Sequence, residues 1–205
     1  MEFIGLCMKI LYNNIGDSMN LVYGGSFNPP TIAHQAILEK LIYLYPEAKI
    51  IVVPVGDDYR KKDLAPFFDR LEMIKLMISS YEQVIISSIE GIHPFQGTIE
   101  TLHRLNQAYD EISLVIGQDQ LIHIESWIRV KELIKNYPMI IMRRNESMSD
   151  EDFKKKLKEL NITYTFVDFD MDISATMYRV NPQKASNLIP KEVNDYITKH
   201  HLYKE

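Results

Sequence analysis

Two stretches of this 205-residue chain hold residues at spacings suited to phosphate chemistry. The first reads Gly24-Gly25-Ser26-Phe27-Asn28-Pro29-Pro30-Thr31-Ile32-Ala33-His34. Its two glycines permit a tight turn and close approach of a ligand. Pro29-Pro30 stiffens the connection and holds off a helix until Thr31, which then serves as an N-cap. His34, three residues on, shares a face of the first helical turn with Thr31. Free N–H groups and the dipole at that end attract anions, and an imidazole there can donate to phosphate oxygens as charge moves in a transition state. The second stretch is Asp172-Ile173-Ser174-Ala175-Thr176-Met177-Tyr178-Arg179. Ser174 can cap a short helix, and Arg179 presents a fork of donors that fits phosphate oxygens. Taken singly, each stretch also makes an ordinary element: a Gly-Pro turn with a surface histidine, or a capped surface helix with a solvated arginine.

Other candidates lie between them. Gly117-Gln118-Asp119 follows an apolar run, where glycine admits a ligand to a strand end and a carboxylate can accept hydrogen bonds from sugar hydroxyls. Trp127 is the only tryptophan; its face suits a flat ring, though half-buried packing is the usual fate of the residue. Arg60-Lys61-Lys62 puts three adjacent cations in one loop, which reads equally as a solvated charged turn. No competing centre is visible. The six histidines make no zinc spacing and no H-E-x-x-H pattern, and no Walker loop, G-x-G-x-x-G or G-x-S-x-G occurs.

These residues need elements to position them. Apolar, β-rich runs at 20–23, 49–55, 84–86, 112–116 and 139–142, with a sixth candidate at 162–169, lack alternation and so predict strands buried on both faces. Helical spacing falls between them: Ile37, Leu41 and Leu44; Leu71, Ile74 and Ile78; Val130, Leu133 and Ile134; Val193 and Ile197. Strand and helix in alternation predict an α/β fold, a Rossmann-like, doubly wound, mainly parallel sheet with helices on both faces. Such sheets bind ligands beyond the carboxyl ends of the strands, where the strand order reverses.

Composition agrees with one domain. The chain is 46% hydrophobic and 25% charged, with no repeat or linker. We read residues 1–18 as an N-terminal extension and 19–205 as the domain. A net charge of −5 counts against a nucleic-acid binder. No apolar run is long enough to span a membrane, and Glu2 before the first one is wrong for a signal peptide. One cysteine, Cys7, excludes an intrachain disulfide and fits a reducing cytoplasm.

The first stretch resembles the signature of the nucleotidylyltransferase superfamily, loosely Gly-x-Phe-x-Pro-(His/Thr)-x-x-His. The second resembles that superfamily's Ile-Ser-Ser-Thr-x-Ile-Arg, departing at Ala175 and Tyr178. Within the superfamily the chain is most similar to the nicotinate-nucleotide adenylyltransferases. Gly117-Gln118-Asp119 with Trp127 downstream resembles that family's Gly-x-Asp and ring-stacking tryptophan. Thr98-Ile99-Glu100-Thr101-Leu102 resembles its Tyr-Thr-x-Asp-Thr-Leu, with Gly97 in place of the tyrosine. Phe68-Asp69-Arg70-Leu71-Glu72-Met73 resembles its Asp-Arg-Leu-Glu-Met helix, and 187–203 its C-terminal helix. The family usually has histidine where Thr31 stands and glycine where Ala33 stands. A hydroxyl cannot replace an imidazolium as a charge, so part of the stabilisation must then come from elsewhere.

The resemblance implies transfer of the adenylyl group of ATP to nicotinate mononucleotide, with Mg²⁺ carried on ATP and few protein carboxylates on the metal. It implies catalysis by His34 with Thr31, helped by Lys62 and Arg179. ATP is expected on Gly24, Ser26 and Phe27, on Gly117 and Asp119, and on Ser174, Thr176 and Arg179. The mononucleotide is expected on Asn28, Lys62, Thr98 and Trp127. No partner in nucleic acid or membrane is expected, and homo-oligomerisation stays open. Two alternatives also stay open: a transferase for nicotinamide mononucleotide or another phosphate, and a non-catalytic nucleotide sensor.

Overall fold

The computed structural model describes residues 19–59, 63–143 and 150–203. The 1–18 extension with Cys7, and the cation triplet with Lys62, lie outside the described residues.

Six parallel strands form one sheet in the order β3-β2-β1-β4-β5-β6. They are β1 (Asn20–Gly25), β2 (Lys49–Pro54), β3 (Val84–Ile86), β4 (Ile112–Gly117), β5 (Met139–Arg143) and β6 (Tyr164–Asp168). All six segments are legible as apolar runs. The reason shows in the burial: every residue from Ile50 to Pro54 and from Ile112 to Ile116 is buried, as a strand covered on both faces requires.

Two apolar layers sandwich the sheet. On one face Leu21, Tyr23, Ile50 and Val52 meet α1 (Ile32–Leu44), α2 (Phe67–Ile78) and α9 (Lys191–His200). On the other, Val22, Ile51 and Val53 meet α4 (Thr98–Leu105), α6 (Val130–Asn136) and α7 (Asp150–Glu159). The alternation along β1 and β2 is the pleat sending successive side chains to opposite layers. Three further short helices are α3 (Ile89–Ile92), α5 (Gln118–Ile122) and α8 (Ala175–Val180). The anticipated helices appear as α1, α2, α6 and α9. Spacing does not reveal α3, α4 or α7; α4 lies inside a segment that stands out for its motif instead.

The strand order reverses between β1 and β4, which pair directly, Asn20 with Ile112 through Tyr23 with Val115. Both chain segments then leave the sheet at its carboxyl edge, β1 into the glycine-proline loop and β4 into Gly117-Gln118-Asp119. That is the crevice in which open α/β sheets hold ligands. Among the described residues no helix is long and apolar enough to cross a membrane.

Candidate active site

Thr31 caps α1 as expected, with extended backbone angles (φ −119°, ψ 167°), and its hydroxyl accepts from the His34 N–H at 3.4 Å. His34 answers: its Nδ1 accepts the Thr31 N–H at 2.9 Å. This is a capping box with histidine in the place where glutamate or glutamine usually closes it. A backbone amide only donates, so Nδ1 supplies a lone pair and the neutral ring carries its proton on Nε2. Thr31 is wholly buried, and its Oγ1 lies 2.8 Å from Nδ1. It therefore orients the imidazole. Phe27 braces the ring from beside it, with centroids 4.9 Å apart, and is itself edge-on to Tyr23 at 5.5 Å. Phe27 is buried throughout, side chain and backbone, so its part here is to brace the imidazole rather than to meet a ligand.

Asn28 is also buried, and its carboxamide is engaged. Oδ1 accepts from the Ala65 N–H at 2.9 Å and from the Tyr203 hydroxyl at 2.8 Å, while Nδ2 donates to the Asp63 carbonyl at 2.9 Å. The side chain expected on the mononucleotide instead fixes the loop. Arg70 fixes it from the other side. This fully buried guanidinium donates from Nη1 to the Ser26 carbonyl at 3.1 Å, from Nε to the Ala65 carbonyl at 2.8 Å, and from Nη2 to Asp57 at 3.0 Å.

The second stretch folds as anticipated. Ser174 caps α8, its Oγ accepting from the Met177 N–H at 3.3 Å. Thr176 is exposed one turn from Arg179, whose Nη2 donates to the Thr176 hydroxyl at 3.2 Å. Arg179 Nη1 then donates to the Asn28 carbonyl at 2.6 Å. This bond spans 151 residues of sequence and joins the two phosphate-suited stretches.

Beneath the first loop a cavity of about 460 Å³ opens between the ends of β1 and β4. Gly24, Ser26, Thr98 and Trp127 all line it, so the structure brings together expectations drawn from both ends of the sheet. Trp127 is half-buried after a short 3₁₀ turn, and Thr98 opens α4. Asp119 is exposed on the first turn of α5, beside Gly117. Tyr59 and Phe95, in edge contact at 4.8 Å, also line the cavity, and no spacing in the sequence points to them. Glu90, also in the lining, accepts from the Thr101 hydroxyl at 2.7 Å. Burial pushes this carboxyl above the usual carboxylate range, against the pull of the Thr101 hydrogen bond.

Gly97 has φ +95° and ψ 152°, a region essentially confined to glycine, and a Cβ there would lie 2.8 Å from Ile128 Cβ. The departure from the family tyrosine is therefore built into the backbone that starts α4. Gly97→Ala should cost about 1–3 kcal/mol in urea unfolding. An unchanged midpoint would mean that the turn relaxes freely.

Comparisons with known proteins point to one family. The family model described as cytidylyltransferase-like matches residues 22–181. A probable nicotinate-nucleotide adenylyltransferase of Acholeplasma laidlawii is 38% identical over 188 residues, covering 91% of this chain and 98% of the relative. The chain belongs to the nicotinate-nucleotide adenylyltransferase family. Another probable nicotinate-nucleotide adenylyltransferase, from Caldicellulosiruptor bescii, is 31% identical and covers 89% of this chain and 97% of its own length. In fold, the chain is similar to the Plasmodium falciparum nicotinic acid mononucleotide adenylyltransferase complexed with NaAD. The TM-score is 0.74 at 24% identity, over 91% of this chain and 97% of that one. Here the signature residues stand at the carboxyl edge of the sheet, Thr31 at the first polar position of the pair and His34 at the second. The structure gives that threonine the work of holding the second.

Proposed function

We propose that the protein transfers the adenylyl group of Mg-ATP to nicotinate mononucleotide, releasing pyrophosphate and forming deamido-NAD. The observation that carries this reading is the Arg179–Asn28 bond, which joins the second phosphate element to the loop whose Gly24 and Ser26 line the same cavity as Trp127 and Thr98. An oxygen of the mononucleotide 5′-phosphate forms a bond to the α-phosphorus of ATP. The bond from that phosphorus to the bridging oxygen breaks, and its electron pair leaves on pyrophosphate. The substrate brings its own nucleophile, so no covalent enzyme intermediate is needed.

The chain's part is alignment and charge stabilisation. His34 donates from Nε2 to the oxygens that gain charge, held by Thr31 at Nδ1. Arg179, Thr176 and Ser174 take the triphosphate, together with the backbone of Gly24 and Ser26; Lys62 adds a cation. Gly117 and Asp119 take the ribose of ATP. Among the described residues no three of His, Cys, Asp or Glu cluster to hold a metal. A Mg²⁺ carried on the ATP phosphates would offset charge on the departing pyrophosphate. Trp127 stacks on the pyridine ring, with Thr98 beside its carboxylate.

The test mixes the protein, Mg-ATP and either nicotinate or nicotinamide mononucleotide, and measures pyrophosphate and dinucleotide. Turnover is expected with the acid in preference to the amide. Turnover with neither, alongside tight ATP binding, would overturn the reading in favour of a nucleotide sensor. Trp127→Ala should raise the KM for the mononucleotide about tenfold, the order of a lost aromatic contact, and leave that for ATP within about twofold. Equal changes for both substrates would remove Trp127 from the ring site.

A further inference from the structure

The first loop is anchored by a residue from the far end of the fold. Beyond α9 the chain reverses through His201 and Tyr203, both in the left-handed region at φ 54° and 56°. The Leu202 N–H bonds back to the Ile197 carbonyl at 3.1 Å. This turn sends the Tyr203 ring edge-on against Tyr178 at 6.0 Å, and its hydroxyl donates to Asn28 Oδ1. Tyr178 is 2% exposed and immediately precedes Arg179 in α8. One phenol thus touches one partner of the Arg179–Asn28 bond and the residue next to the other. Its hydroxyl holds the Asn28 side chain, and its ring packs on the helix that carries the guanidinium.

We propose that Tyr203 is a positioning residue for the triphosphate site, setting the direction of Arg179 through Asn28. The proposal rests on the adenylyl-transfer reading above for what Arg179 holds. The Asn28 carbonyl takes one arm of the Arg179 fork and Thr176 the other, so their places fix where the remaining donors point. Asn28 stays in place because three hydrogen bonds from two separate segments converge on its carboxamide: those with Asp63 and Ala65 of one loop and that with Tyr203. Loss of the phenol hydroxyl removes the only one of these that comes from the α9 side. Burial pushes the Tyr203 phenol well above its ordinary range; Arg70 and Arg179 pull it down by less, and Tyr178 and Asp69 push it further up. The hydroxyl therefore remains a donor throughout the neutral range.

The test is Tyr203→Phe, which keeps the ring and its packing. Affinity for a non-hydrolysable ATP analogue, measured by calorimetry, should fall about three- to tenfold, as for one lost hydrogen bond, with the KM for ATP rising in step. The mononucleotide KM should change by less than about twofold. In an Arg179→Ala background the same substitution should weaken the analogue no further, because the route through Arg179 is already cut. Wild-type analogue affinity in Tyr203→Phe would overturn the proposal. So would a fall of equal size with and without Arg179, or a joint rise of both KM values tracking lost thermal stability. The analogue titration needs no mononucleotide, so it decides the role of Tyr203 even if the transfer assay fails.

Discussion

Replacing His34 with alanine is expected to lower kcat about 100-fold or more, the loss typical of one donor aimed at a transition-state oxygen. The size follows from the environment. The imidazole is held between the Thr31 amide and the Phe27 ring, so its Nε2–H is fixed before the substrate arrives. A preorganised donor loses no free energy to reorientation as charge develops. The same substitution also opens the capping box, which costs about 1 kcal/mol of stability on its own account. His34→Gln separates the two effects. Glutamine is the residue that ordinarily closes such a box, so stability should return to within about 0.5 kcal/mol of wild type. With its carboxamide oxygen turned to the Thr31 amide, it should leave kcat still at least about tenfold low. A His34→Ala protein with unchanged kcat and unchanged KM for both substrates would remove the histidine from the reaction.

The largest stability effect is expected at Arg70. Its partner Asp57 keeps 60% of its side-chain surface, so removing the guanidinium does not strand a buried charge. The cost lies in the two main-chain carbonyls, of Ser26 and Ala65, that lose their charged donors, and in the void left among buried side chains. Together these should take about 3–5 kcal/mol from Arg70→Ala in urea unfolding with an unchanged m value. Arg70→Met fills most of the volume and should recover about 1–2 kcal/mol of it, leaving the lost charged hydrogen bonds as the remainder. A loss below about 1 kcal/mol in the alanine variant would show that water replaces the guanidinium at little cost. Because Arg70 grips the loop at Ser26, the methionine variant should also bind ATP more weakly than wild type.

Residue types and spacings reveal the local part of the molecule. The Thr31 cap, the Ser174 cap and the starts of α1 and α8 depend on groups within four residues of one another, so type and spacing suffice. The six strands announce themselves because burial on both faces forces continuous apolar runs. The motifs point to the family. Spacing says less where elements are short or where conformation rather than composition matters: α3 has four residues, and Gly97 is dictated by a backbone angle. Asn28 and Phe27 look like ligand-facing members of a signature, yet their side chains are buried and spent on holding the loop.

Residue order alone thus dictates the parallel α/β fold, the two phosphate-suited stretches and the family to which they belong. That Arg179 bonds to Asn28, that Arg70 grips Ser26 and that Tyr203 closes beneath them emerges only from the folded chain. Apolar runs and helical periods are the same for every ordering of strands. It is the placement of β1 beside β4, with α9 packed on α2 and α8 bonded back to the loop after β1, that sets which distant polar groups come within hydrogen-bonding reach.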